Sequence, residues 1–269
     1  MAQIRFYAGD RSVSLLKQII IRLDFESLTD LNSVIKCLKR QEFLSNSLKG
    51  YRIIKSNRIS LQMPPSVVED KYLPIERYDV SDMHRFFDST IQPLQDVTLD
   101  VTETYVCLTI NTNDDYASIE PYIELISDVA NLIKNEDPYV QFCRIAIRKI
   151  DGEDFNNLDE GFNVFKSSQF RLEHKFEHFA KMSHKAVLTD YFIADSIKFN
   201  MSNSIEKFRN GKCRICLDMD SYIDEECFRD NIGLKEISIK DILKNKLNAK
   251  LYSLFEECVI LEHAIPNNK

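Results

Sequence analysis

Tryptophan is absent and glycine is scarce, with 6 glycines in 269 residues. Phosphate-cradling loops and nucleophile elbows depend on glycine, because a residue without Cβ lets the backbone approach a ligand or adopt a strained turn. No Gly-x-Gly-x-x-Gly, Gly-Lys-Ser/Thr or Gly-x-Ser-x-Gly occurs. Nucleotide enzymes and hydrolases of the common kinds are therefore disfavoured. There is also no extended run of Lys and Arg, and the formal net charge is −7. Non-specific nucleic-acid binding needs clustered cations to neutralise phosphates, so it too is disfavoured. The opening MAQIRFYAGDR lacks the apolar core of a signal peptide, and no apolar stretch is long enough to span a bilayer. The expectation is a cytoplasmic protein without a membrane association.

The composition that is present is ordinary for a globular chain, with 44% hydrophobic and 29% charged residues. Residues 1–269 are expected to form one globular unit, with 1–138 and 139–269 as candidate halves. Seven cysteines lie scattered at Cys37, Cys107, Cys143, Cys213, Cys216, Cys227 and Cys258. An odd, dispersed set in a chain of this length reads as small buried hydrophobes in a reducing compartment.

Local patterns alternate between strand and helix signals. Val13 to Phe25 places Val13, Leu15, Ile19, Ile21, Leu23 and Phe25 on one parity, the mark of a half-buried strand. Ser27 and Thr29 offer caps to a helix carrying Leu31, Val34, Ile35 and Leu38. Tyr51 to Met63 reads as a hairpin turning near Ser56-Asn57 and closed by Pro64-Pro65. Residues 64–96 read as a long connection with one short helix near Ser81 to Phe87. Val97 to Ile110 is β-rich, and its apolar parity switches at Thr102-Glu103-Thr104, which predicts a turn or bulge there. Ile119, Tyr122, Ile123, Ile126, Val129, Ala130 and Ile133 form one helical stripe ended by Pro138. Val140 to Ile150 is a strand, and the acidic stretch Asp151 to Glu160 a loop. Ser196–Ile205 and Lys212–Tyr222 form a hairpin around Asn210-Gly211. A last helix begins near Ser238, with Asp241 placed for a capping box. Hairpins outnumber crossovers, so the predicted class is α+β, with a mainly antiparallel sheet and long amphipathic helices.

Two strands carry the most informative polar residues. Arg144, Ala146 and Arg148 share one face of the first, and Arg214, Asp218 and Asp220 share one face of the second. If the faces meet, Arg144 and Arg148 can pair with Asp218 and Asp220. The favoured reading is an ion-pair network that pins strand register; the competing one is a ligand pocket at these four residues. Asp218, Asp220 and Asp224-Glu225-Glu226 also permit a two-metal site. Cys213 and Cys216 form a Cys-x-x-Cys, but on an alternating strand they face opposite sides and no second pair exists. His174, His178 and His184, beside Glu173 and Glu177, lack the His-Glu-x-x-His placement and read as a solvated face. No metal and no cofactor is expected.

The segment VQFCRIAIRKID, Val140 to Asp151, resembles the Arg-Ile-Gly-Leu-Arg-Tyr-Ile-Asn strand of a sporadically distributed, uncharacterised family of prokaryotic proteins of similar length. Leu217-Asp218-Met219-Asp220 resembles that family's Leu-Asp-Ile-Asp strand. Asn111 to Ile133 fills the place of its Tyr-Pro-x-Trp-opened helix, with Tyr116 and Pro121 spaced differently. Ala146, Lys149 and Asp151 depart from the family's Gly, Tyr and Asn. The resemblance implies an accessory role of the kind played in phage defence or toxin neutralisation. The functional expectation is a non-enzymatic binding or regulatory subunit with a protein partner. The alternatives are a metal-dependent nucleic-acid or nucleotide-processing enzyme at Asp218 and Asp220, and a sensor of a small anionic ligand at Arg144 and Arg148.

Overall fold

The computed structural model describes residues 4–8, 11–55, 82–88, 97–112, 116–170 and 184–265. Nine strands form one sheet in which every neighbour is antiparallel. In chain order they are β3 (Leu16–Phe25), β4 (Gly50–Ile54), β5 (Met83–Phe87), β6 (Val97–Val101), β7 (Tyr105–Asn111), β8 (Phe142–Phe155), β9 (His184–Ala194), β10 (Ile197–Lys207) and β11 (Cys213–Asp224). Across the sheet the order is β4-β5-β6-β7-β3-β8-β11-β10-β9, and a small separate hairpin pairs β1 (Arg5–Ala8) with β2 (Arg11–Ser14). The α+β class and the antiparallel sheet are as the sequence predicts. β3 and β8 pair at the centre, so strands from before and after residue 138 belong to one sheet.

The period of 2 along each strand divides the sheet into a covered face and a polar face. Ile19, Ile21 and Leu23 of β3, Val106, Leu108 and Ile110 of β7, Ile145 and Ile147 of β8, and Ile215, Leu217 and Ile223 of β11 are buried on the covered side. There they join Ile123, Ile126, Val129, Ala130 and Ile133 of α3 (Glu120–Glu136) in one core. Leu243, Leu247 and Leu251 of the C-terminal helical run complete it. Val34, Ile35 and Leu38 of α1 (Leu31–Leu38) add a further edge, continued by Leu44 of α2 (Glu42–Ser47).

Several expectations need correction. The helices are short, from 3 to 17 residues, rather than generally long. The C-terminal run is α-helical at Ile239–Asp241, π-helical at Ile242–Asn248 and α-helical again at Ala249–Cys258. Its start is as predicted, since the Ser238 hydroxyl accepts from the Asp241 N–H at 3.1 Å. The cap of α1 is Asp30, whose carboxylate accepts from the Ser33 N–H, not Ser27 or Thr29. Met83–Phe87 is a strand, not a helix, because pairing with β4 and β6 outweighs local propensity. β4 finds its partner in β5, and the turn expected near Ser56-Asn57 lies outside the described residues. The predicted loop from Asp151 continues β8 as far as Phe155, paired to β11, and is followed by a helical turn, Leu158–Phe162. Strand β9 had no counterpart among the predicted elements. The bend at 102–104 and the Asn210-Gly211 turn hold: the Thr102 hydroxyl accepts from the Thr104 and Tyr105 N–H groups, and Gly211 has φ +86°. Among the described residues no helix is long and apolar enough to cross a membrane.

Candidate functional site

The polar face is the part of the molecule that the core does not explain. Strand register fixes what meets on it. Arg148 stands opposite Asp220, and Ala146 opposite Tyr222 on one side and Arg22 on the other. The side chains then pair diagonally. Arg148 donates two hydrogen bonds to Asp218, at 2.6 and 2.5 Å. Arg144 donates to Asp220 at 2.9 Å and reaches Asp24 at 3.5 Å. All four of Arg144, Arg148, Asp218 and Asp220 are thus brought together, with Asp24 of β3 as a fifth member.

The same motif spreads across the sheet. Arg22 pairs with Asp24 at 2.6 Å, Arg85 forks onto Asp100 at 2.6 and 2.7 Å, and Arg214 forks onto Asp154 at 2.6 and 3.0 Å. Two guanidiniums also lie over aromatic rings: Arg22 is 4.2 Å from the Tyr105 centroid and Arg144 is 4.6 Å from that of Tyr222. Ala146, between Arg22 and Tyr222 in register, is the small residue whose short side chain leaves room for both. The bidentate geometry matches planar guanidinium to planar carboxylate and fixes each side chain in one orientation.

The electrostatics follow. The hydrogen bonds that Arg148 donates to Asp218 hold its guanidinium firmly charged. Burial pushes the Asp220 carboxyl above the usual range, while Arg144 and Arg148 oppose that push. Neither of two surface depressions described contains any of the four residues. One, about 340 Å³, opens beside Lys17, Gly152, Asp154, Arg214 and Cys216; the other, about 370 Å³, lies between α1 and α3. The four residues form a mutually neutralised lattice, in which Arg148 is engaged by Asp218 and Arg144 by Asp220 and Asp24.

Comparison of the chain with protein-family models, with curated proteins and with solved structures gives no match.

The remaining candidates fall out by geometry. Asp224 and Glu226 both bind the Lys198 ammonium, and Asp224 also caps the next helix by accepting from the Cys227 N–H at 3.2 Å. Those contacts spend the acidic cluster on structure. Cys213 is buried on the covered face and Cys216 is half-buried on the other, so the pair does not converge. His174 and His178 lie outside the described residues, as does the side chain of His184. Among the described residues no three His, Cys, Asp or Glu are grouped so as to hold a metal ion.

One cluster has no counterpart among the predicted sites. Asp151 is 3% exposed on the covered side, and its Oδ2 has no hydrogen-bond partner. Burial raises its carboxyl to about 7, although Lys149 and Lys17 pull the other way. Burial likewise lowers the Lys149 ammonium, and raises the phenol of Tyr116, which stacks on Tyr122 at 6.3 Å. Lys149 and Asp151, spaced by 2 on a strand, share a face by parity alone; that signal was available in the sequence.

Proposed function

We propose that the protein is a non-catalytic binding subunit that works through contact with another protein, and that the polar sheet face is its contact surface. The observation that carries this reading is the strip of Arg and Tyr side chains held in fixed orientations by carboxylates: Arg22 over Tyr105, Arg144 over Tyr222, and Arg148 forked onto Asp218. Arginine and tyrosine are the residues most enriched in the energetic centres of protein interfaces. Fixing their rotamers in advance lowers the entropy lost on docking. A charge-balanced face suits a protein surface better than a phosphate chain, which calls for unpaired cations. The accessory role in a prokaryotic system, of the phage-defence or toxin-neutralising kind, belongs to this same proposal and rests on the strand resemblances alone.

The two alternatives are less well supported. An anion sensor at Arg144 and Arg148 would have to displace Asp220 and Asp218 from their guanidiniums. A metal enzyme at Asp218 and Asp220 would have to release the same pairs. A photo-crosslinking residue at position 222, introduced in cells of the source organism, tests the proposal. The expected result is one discrete crosslinked protein that is absent when the crosslinker is placed at Tyr139, an exposed turn position outside the strands. The same crosslinks from both positions, or none from 222, would overturn it.

A further inference from the structure

Strand β9 lies at an edge of the sheet, yet its side chains suit an interior strand. On the polar-face side Val187, Tyr191 and Ile193 are 54, 57 and 59% exposed. On the other side Ala186, Leu188 and Phe192 are half-buried, and Phe192 stacks on Phe199 of β10 with centroids 4.9 Å apart. A strand apolar on both faces is the pattern of one flanked by partners on both sides. Edge strands are normally protected by shortness, proline, bulges or charge. The opposite edge, β4, follows that rule, having 5 residues with Arg52 in the middle. β9 has 11 residues, no proline and an unbroken register with β10, and its only charges at described side chains are Lys185 near its start and the half-buried Asp190 on the covered side. Among the described residues, no strand pairs with its outer side.

We infer that the occupant of this edge is a second copy of the chain, joined antiparallel through β9 about a twofold axis at Thr189. The sequence of β9 is self-complementary in that register. Val187 falls opposite Tyr191 of the partner subunit, Ala186 opposite Phe192 of the partner subunit, and Lys185 opposite Ile193 of the partner subunit. Both exposed members of the central pair are thereby covered twice, as a twofold interface requires. Neighbouring registers are worse. An axis at Asp190 sets that carboxylate against its own copy, which is unfavourable for directly opposed like charges. An axis at Leu188 leaves Ile193 beyond the start of the facing strand and sets Val187 against a threonine. In the favoured register the two nine-stranded sheets become one continuous sheet, and the unpaired N–H and C=O groups of two edges satisfy each other. This inference rests on the open backbone edge of β9 rather than on the contact surface proposed above, although Tyr191 lies on the same sheet face as Tyr222 and interacts with it.

Analytical ultracentrifugation of the full chain across a dilution series tests the association, and two cysteine variants test the register. The wild-type chain is expected to sediment at twice its chain mass. Val187→Lys/Tyr191→Lys, which places charge on two exposed positions, is expected to sediment at the single mass with an unchanged circular dichroism spectrum. Directly opposed residues in an antiparallel pair have Cα atoms about 4.5–5.5 Å apart, within disulfide reach. Thr189→Cys is therefore expected to form an intermolecular disulfide under mild oxidation, whereas Tyr191→Cys, offset from its own copy, is not. A wild-type chain at the single mass at every concentration would overturn the inference. So would a dimer that survives the double lysine substitution, or a disulfide through Tyr191→Cys in preference to Thr189→Cys.

Discussion

Replacing Asp151 by asparagine should make the protein more stable at pH 8 and leave it nearly unchanged at pH 4. Asp151 is 3% exposed and one carboxylate oxygen has no hydrogen-bond partner, so ionising it inside the fold is costly. The ordinary value of 3.8 rises to about 7, with burial as the main cause. Because the folded value lies above the unfolded one, the unfolded chain releases this proton first. The contribution to stability is fully present below about pH 4, declines as pH rises, and is lost above about pH 7. An interval of about 3 pH units at about 1.4 kcal/mol each amounts to roughly 4 kcal/mol. That is a ceiling for the gain in Asp151→Asn at pH 8, since the substitution also takes from Lys149 the carboxylate that favours its charged form.

Urea unfolding of both proteins at pH 4.5, 6 and 8 (three points chosen to span that interval, about 1.5–2 units apart) measures the effect directly. The stability difference should grow in favour of Asp151→Asn as pH rises and become level above about pH 7. A difference that is constant with pH would show that Asp151 ionises in the folded protein as it does in water. A variant less stable than wild type at pH 8 would show that the carboxylate is instead a needed partner for Lys149.

Arg148→Ala should fold normally and lose about 1 kcal/mol in urea unfolding, because an ion pair with one side chain 46% and the other 24% exposed is substantially screened by water. Failure of Arg148→Ala to fold would show that the lattice pins strand register, the reading first favoured from the sequence. Gly152→Ala should cost about 2 kcal/mol by the same measurement, since a Cβ there would lie 2.8 Å from the Ile215 carbonyl oxygen and 3.2 Å from the Cys216 Cα. An unchanged midpoint for that variant would mean that β8 and β11 separate more easily at this point than their register implies.

What the sequence revealed, and what it concealed, follows from how local each signal is. The pairing of Arg144 and Arg148 with Asp218 and Asp220 was legible because strand parity assigns faces without reference to the rest of the chain. Asn210-Gly211 and Ser238 were legible for the same reason: a positive φ and a capping hydroxyl are decided within three or four residues. Met83–Phe87 was not, because its alternation of Met83, Arg85 and Phe87 with buried His84 and Phe86 becomes decisive only when β4 and β6 lie alongside. The extension of β8 through Asp151, Gly152 and Glu153 was hidden by polar residues that would suit a loop. Long-range pairing with β11 made a strand of them, at the cost of burying Asp151.

That cost bears on what the covered side is for. A leucine at 151 would bury without penalty, as Leu217 opposite it does. The chain instead keeps a carboxylate, an ammonium and a stacked tyrosine pair together beneath the start of α3, while the polar face outside consists of charges that cancel one another. A buried carboxylate with an oxygen that has no hydrogen-bond partner therefore lies inside the fold, while the arginine and aspartate side chains of the polar face are paired. Buried groups of this kind weaken the fold as they ionise, so the Asp151 titration and the proposed docking of a partner on the opposite face are linked only if the sheet itself yields. β8 carries both Arg148 and Asp151 three residues apart, on opposite faces of one strand. Any shift of that strand that relieved Asp151 would also move the Arg148 fork against Asp218. Partner binding on the polar face, by holding β8 in place, should then make the wild-type protein's stability more strongly dependent on Asp151 remaining protonated, and Asp151→Asn should bind the same partner with a weaker pH dependence than wild type between 4.5 and 8, about the span over which the wild-type carboxyl titrates.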